Sequence, residues 1–257
     1  MISTVAFTAL TTLLVLASVA AHEAGHYVVL HRLGIPVDQV ALGLAIRPRL
    51  VFAPTERRPY EVSISPWLVS AHVRVHADHL DEAEALGYHD DAWVAGVGIV
   101  ANLVFGGVAL AAVNLLRGSA IGVLVGGALA VAAWYGCRLL CSYVFPVLGL
   151  GALALLVYSI VDSIGSDESA GPVGVGKLLV AHDLTQALMV ATVFSLALAA
   201  INLAPVPPLD GGRTWSRIIQ RLAGRAAEGW YQASGMLLMI GLLVYSIGSD
   251  LVRAVVR

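Results

Sequence analysis

Residues 5–30 read VAFTALTTLLVLASVAAHEAGHYVVL. From Val5 to Ala21 the stretch holds only Val, Ala, Phe, Leu, Thr and Ser, and Tyr27 to Leu30 is apolar again. About 20 mostly apolar residues are what an α-helix needs to cross the hydrocarbon core of a bilayer. Inside this run stand His22, Glu23 and His26. On a helix the two imidazoles fall at i and i+4 on one face, where they can hold a Zn²⁺ ion. The Glu beside the first can then act as general base on water. Ionisable groups within a span are costly unless they face a cavity or a partner, so they mark function by default. The competing reading is a structural trio whose members satisfy one another between helices.

Composition agrees with a membrane setting. Of 257 residues, 58% are hydrophobic and 12% charged, half the roughly 25% of a soluble domain. Mean hydropathy is +0.83. The net charge of -2 offers nucleic acid no basic surface. The first apolar stretch lacks a basic leader and carries the His-Glu-Ala-Gly-His run, so it is expected to remain in the protein rather than be cleaved. Cys137 and Cys141 are spaced CxxxC, neither a zinc-ribbon nor a redox spacing, and read as small buried apolar side chains.

The expected fold is an all-α polytopic membrane protein in one domain, 1–257, with about six transmembrane helices at 5–30, 93–116, 119–136, 139–161, 183–204 and 230–248. The pair within 119–161 meets at Cys137 and Arg138 and reads as an apolar helical hairpin. Arginines set the orientation. Arg32, Arg47, Arg49, Arg57, Arg58 and Arg74 lie in 31–91, and Arg213, Arg217, Arg221 and Arg225 lie in 211–229. The 162–180 loop is acidic. By the positive-inside rule the two Arg-rich segments face the cytoplasm, which puts both termini outside a cell membrane; Arg253 and Arg257 argue mildly against the C-terminal placement. Val5 to Glu23 is about 27 Å of helix at 1.5 Å per residue, so the histidines sit near the cytoplasmic face.

The 35–75 region differs in kind. Its Val, Ile and Leu are broken by Pro36, Pro48, Pro54, Pro59 and Pro66, and Glu61-Val62-Ser63-Ile64-Ser65 alternates with period two. Short β-strands at the inner membrane face are expected, against the alternative of an ordinary loop.

Two histidines make an incomplete site, because catalytic zinc takes three protein ligands and an open position. The best third ligand is Asp210, in Asn202-Leu-Ala-Pro-Val-Pro-Pro-Leu-Asp210-Gly-Gly. Pro205, Pro207 and Pro208 stop the preceding helix, and Gly211 and Gly212 permit close backbone approach. An N-cap role for Asp210 remains open. His22 and Asp210 share a depth only if their helices run the same way, which needs an odd number of intervening spans; three are expected.

With HEAGH at 22–26, Gly98-Ile-Val-Ala-Asn102, Gly171-Pro172-Val-Gly174 and NLAPVPPLDGG at 202–212, the chain resembles the site-2 proteases, intramembrane zinc metalloproteases. The order resembles the bacterial sigma-E-regulator protease branch, without a recognisable PDZ domain; the 119–161 hairpin stands in that place, and the Gly-Pro expected before Asn102 reads Gly96-Val97-Gly98. The resemblance implies one Zn²⁺ held by His22, His26 and Asp210, Glu23 as base, Asn202 clamping the substrate backbone and Asn102 near the active site. It also implies a 35–75 edge around Ile64 that receives an unwound substrate as an added strand. The substrate is then a transmembrane-helix protein, of which an anti-sigma factor or a signal-peptide remnant are the kinds implied.

Three other functions fit the sequence less well. A catalytically silent scaffold would not need Glu23 with a full ligand set. A zinc transporter would spread its ligands along a path through the membrane. A prenyl-protein-type protease would need a Glu ligand on a later helix. Lesser features are His72, His76 and His79 as a second metal cluster, weaker than a solvated face, and Arg217, Arg221 and Arg225, which at i+4 spacing suit a helix lying on an anionic leaflet.

Overall fold

A computed structural model describes residues 2–43, 48–56, 58–65, 71–154 and 179–256. Five helices among these are long and apolar enough to cross a membrane: Thr4–Arg32, Tyr88–Leu116, Ala120–Ala154, Leu184–Leu203 and Asp210–Ser249. We label them α1 (Ile2–Arg32), α3 (Tyr88–Leu116), α4 (Ala120–Ala154), α5 (Leu184–Leu203) and α6 (Asp210–Val256), the last broken at Gly224 (φ 85°, ψ 175°) into two helical arms. The short α2 (Leu80–Glu84) leads into α3.

Among the described residues five such helices stand against the six spans expected from hydropathy. Residues 120–154 form one helix where two arms meeting at Cys137–Arg138 were expected. It passes through a π-helical turn at Leu140–Val144 instead of reversing. No Gly-Pro break or polar loop stands there, and Arg138 finds partners without one. Its guanidinium bonds Asp90 at 2.6 Å and lies 5.4 Å from the Trp93 ring centroid. The remainder of the expected second arm, and the Gly171–Gly174 motif, lie outside the described residues.

Small residues let the helices close on one another, as bilayer-embedded helices do. A methyl added at Gly107 would lie 2.7 Å from the Gly126 carbonyl, and one at Gly126 2.6 Å from the Gly107 carbonyl, so α3 and α4 touch backbone to backbone. Gly106 meets Leu196 of α5, and Gly25 of α1 meets the Val97 carbonyl of α3. A polar thread joins three helices at the centre. Ser18 donates to Ser195 (2.9 Å), and Ser195 donates to the Asn102 carbonyl (2.9 Å). Thr11, Ser18, Asn102 and Ser195 are fully buried.

The 35–75 region folds as a four-stranded sheet: β1 (Val37–Leu42), β2 (Leu50–Phe52), β3 (Glu61–Ile64) and β4 (Ala71–Val75), in the order β2-β3-β1-β4. β1 runs parallel to β3, with Gln39 opposite Glu61 and Leu42 opposite Ile64, and antiparallel to β4. β2 pairs antiparallel with β3, Leu50 opposite Ile64. The sheet packs on the end of α1 through a cluster of Val29, Leu30, Ile35, Val37, Ala83, Val94 and Val97.

The ends of the described helices sort into two levels. Ala181 donates its N–H to Thr8, far from the histidines along α1, whereas Gly149 lies against the Leu203 carbonyl at the other end of α5. α1 and α5 both bring their C-terminal ends to the level of the histidines.

Candidate metal centre

α1 carries His22 and His26 on one face, and α3 meets that face with a glycine. A methyl at Gly98 would lie 2.5 Å from His22 Cε1 and 2.5 Å from His26 Nε2. Any side chain there would occupy the place of the imidazoles. α3 also fixes how they point. The Val94 carbonyl lies 2.7 Å from His26 Nδ1. A carbonyl can only accept, so Nδ1 carries the proton and Nε2 keeps its lone pair. The Asn102 amide Nδ2 lies 2.9 Å from His22 Nδ1 and its Oδ1 accepts from the Ser18 hydroxyl at 3.5 Å; for His22 Nε2 to offer a lone pair the carboxamide turns over, so that Oδ1 accepts from Nδ1–H. Both histidines thus spend Nδ1 on α3 and turn Nε2 to a common point, the outer-shell arrangement of metal-ligating histidines.

Asp210 arrives at that point from the first turn of α6. The chain leaves α5 at Leu203, turns through Pro205, Pro207 and Pro208, and doubles back. Added methyls at Gly211 and Gly212 would strike the carbonyls of Leu203, Ala204 and Val206, so these glycines serve close approach, and neither has a positive φ. Tyr231 Oη donates to the Pro205 carbonyl (2.8 Å) and Gly235 packs on Pro207, so the far part of α6 braces the turn. Asp210 is a helical residue whose carboxylate faces the histidines; this places it in the site rather than in the N-cap alternative.

The ligand atoms, one from each residue, lie within 4.8 Å of one another, close enough to share one cation. His22 Nε2 lies 3.2 Å from Asp210 Oδ2, His26 Nε2 lies 3.5 Å from Asp210 Oδ1, and the two Nε2 atoms are 3.2 Å apart. Asp210 Oδ2 is buried with no hydrogen-bond donor aimed at it. Two imidazole lone pairs and a carboxylate converging at such spacing are a donor set for Zn²⁺. Among the described residues this is the group of His, Cys, Asp and Glu with ligand atoms close enough to share a metal; the His72, His76 and His79 run forms no such group.

Glu23 is buried beside the trio, and its carboxylate makes no hydrogen bond with a described residue. Asn202, half-buried at the end of α5, likewise has its amide uncommitted among the described residues. Asn102 lies near the site, as the resemblance implies, whereas Ile64 does not stand at a free edge. Asn102 is fully buried behind His22, so it orients a ligand rather than meeting a substrate. Ile64 belongs to β3, an interior strand bonded on both sides, so its backbone cannot accept an added strand. The free edges are β2, whose Leu50, Val51 and Phe52 are all exposed, and β4.

One constellation had no signal in the sequence. Asp91, 1% exposed in the first turn of α3, receives Arg213 Nη2 at 2.9 Å and Arg217 Nε at 3.2 Å. Both arginines stand on α6 within two turns of Asp210. The pairing therefore fixes the register of the aspartate-bearing helix against the helix that orients the histidines. Arg217, with Nη2 on the Glu84 carbonyl, and Arg221, over the Tyr88 ring at 5.2 Å, bind protein rather than a leaflet.

A family model described as Peptidase family M50 matches residues 10–246. Among curated proteins the chain is 29% identical over 93 residues to "Putative zinc metalloprotease Atu1380" of Agrobacterium fabrum, a match covering 34% of this chain and 25% of that protein. It is 34% identical over 90 residues to "Putative zinc metalloprotease all3971" of Nostoc sp., covering 32% and 24%, and 27% identical over 108 residues to "Putative zinc metalloprotease R01501" of Rhizobium meliloti, covering 39% and 29%. The chain spans about a quarter of the length of these curated relatives.

Proposed function

The chain belongs to peptidase family M50, the site-2 protease family, and from that premise we propose that it is an intramembrane zinc endopeptidase that cuts peptide bonds in or near transmembrane segments of other proteins. The observation that carries this reading is the convergence of His22, His26 and Asp210, close enough to share one cation, beside a buried, uncommitted Glu23.

A zinc ion bound there supplies a Lewis acid and acidifies water to near neutrality. Glu23 takes the proton from the attacking water and returns it to the leaving amine. His22 and His26 hold their orientation through Asn102 and Val94, so no reorganisation is required during the reaction. The uncommitted Asn202 amide donates to, or accepts from, the substrate backbone. A substrate helix must unwind before it is cut, since its amides are internally bonded. The free β2 or β4 edge receives the extended segment and replaces the lost hydrogen bonds. A proline at Ile64 would break two internal ladders at once and would not test this; a photo-crosslinker at Val51 or His72 would, by capturing an uncut substrate on one edge.

We place the site near the cytoplasmic face of a cell membrane with the N-terminus outside. The Arg-rich 211–229 segment lies at the level of the histidines, through the Asp91 pairs, which supports that reading. An anti-sigma factor or a signal-peptide remnant fits the proposed substrate class.

The test is zinc content and cleavage of a model transmembrane substrate measured together. Glu23→Gln keeps about one zinc per chain and loses cleavage. Asp210→Ala and His22→Ala lose both. Cleavage undiminished in Glu23→Gln would overturn the mechanism, and full zinc in Asp210→Ala would remove the third ligand.

A further inference from the structure

The opposite face of α1 borders a second feature. Ala21, Ala24, Gly25, Val28 and Arg32 of α1, with parts of α3 and α4, enclose a half-open cavity of about 700 Å³ whose wall is mostly apolar. None of His22, Glu23 and His26 lines the cavity; at about 100° per residue Ala21, Ala24 and Val28 lie on the far side of α1 from them, while Gly25 and Val29 stand at the border between the two faces. It runs along α3 from Trp93 to Val108, about 22 Å at 1.5 Å per residue. That length holds one acyl chain, half of a hydrocarbon core of about 30 Å.

One end is polar and cationic. Arg32 and Arg138 both line the cavity there. Arg138 shares its charge with Asp90, but Arg32 makes no hydrogen bond or ion pair with a described residue, so a full positive charge is left over. Trp93 Nε1 is buried at the same end with no hydrogen-bond partner beyond the Cys137 sulfur, a weak acceptor. Trp93, Trp134 and Tyr135 cluster at this level, as aromatic side chains do at a headgroup boundary. Two guanidiniums and an indole N–H above an apolar slot complement a phosphodiester above a fatty chain. We propose that this groove between α1, α3 and α4 is a binding site for one anionic phospholipid, with its phosphate at Arg32 and Arg138 and an acyl chain lying along α3 toward Val108.

The experiment offers the detergent-purified full chain equal amounts of dioleoyl-phosphatidylglycerol and dioleoyl-phosphatidylcholine and counts retained lipid by native mass spectrometry. The wild type retains one phosphatidylglycerol in preference. Arg32→Gln and Arg138→Gln each reduce that preference about fivefold, the effect of roughly one basic residue near an anionic headgroup, and the double variant removes it. Val108→Trp fills the apolar end at an exposed position and lowers retention of both lipids. Thermal unfolding and zinc content serve as controls that each variant is folded. Equal retention of the two lipids by the wild type, or unchanged preference in the double variant, would overturn the proposal. So would displacement of the lipid by a substrate helix cross-linked at Trp134.

Discussion

The two halves of the metal centre are held in opposite ways, and both are held by α3. The histidine half is fixed by uncharged groups in the middle of the helix: the Val94 carbonyl, the Asn102 carboxamide and the space left by Gly98. The aspartate half is fixed at the rim, where Asp91 in the first turn grips Arg213 and Arg217. The difference follows position along α3, where the supports run from Asp91 in the first turn to Asn102, about 16 Å further along the helix. A charge near the bilayer centre is expensive, while one near the end of a helix is close to the interface and to water. Neutral hydrogen bonds therefore position the deep ligands, and ion pairs are used where they cost least. Two helices that must meet at a single point are thus registered twice, once by shape and once by charge.

The sharpest way to break the deep half is to fill it. Gly98→Val puts carbon where the imidazoles stand, and we expect zinc binding to be lost altogether, measured by metal content after chelator dialysis. Asn102→Ala leaves the imidazole in place but frees it to rotate. Losses of an outer-shell partner run to about 10–100-fold in metal affinity, and a chelator competition should fall in that range. The cobalt-substituted protein should also show a weakened, broadened visible spectrum, which a purely structural role for Asn102 would not produce.

The rim half should break more gently and with a characteristic order. Asp91→Asn leaves Arg217, 21% exposed, and Arg213, 45% exposed, without their counter-charge. Both still reach water, so the cost is well below the roughly 3–5 kcal/mol of a fully buried broken pair. We expect about tenfold weaker zinc binding with a melting temperature lower by a few degrees. The combined Arg213→Gln, Arg217→Gln variant should be worse, because it strands a carboxylate that is 1% exposed. A double variant milder than Asp91→Asn would show that the rim pairs do not set the position of Asp210.

The same contrast explains which parts were legible in the sequence. His22, Glu23 and His26 are readable because the spacing that makes them a site is local to one helix. Asp210 is readable because the prolines before it and the glycines after it announce a turn that only a special position needs. Asp91 is silent: its partners are 122 and 126 residues away and nothing near it is unusual. The Val94 carbonyl is silent because a backbone group has no identity in a sequence. Gly98 was readable as a packing glycine but not as the wall of the site. The strands of the sheet announced themselves by alternation, yet their order did not. The parallel pairing of β1 with β3 buries β3 in the sheet and moves the free edges away from Ile64 to β2 and β4. Cys137 and Arg138 look like a helix joint in the sequence because Asp90 and Trp93, which make the Arg138 charge tolerable within a continuous helix, are 48 and 45 positions earlier.

The smallest expected effect tests the brace behind Asp210. Tyr231 donates to the Pro205 carbonyl across the turn that delivers the aspartate. Tyr231→Phe removes one neutral hydrogen bond and keeps the ring, a change of about 1 kcal/mol. The turn has other supports: Pro207 is buried, Gly235 packs on it, and Gly211 and Gly212 lie against the carbonyls of Leu203, Ala204 and Val206. Because these contacts overlap, little of that energy should reach the metal, and zinc affinity should fall less than about threefold, against the 10–100-fold expected for Asn102→Ala. If Tyr231→Phe instead weakened zinc as much as Asn102→Ala, the aspartate would be held by a single neutral hydrogen bond as the histidines are. The division between a neutral deep half and a charged rim half would then be wrong.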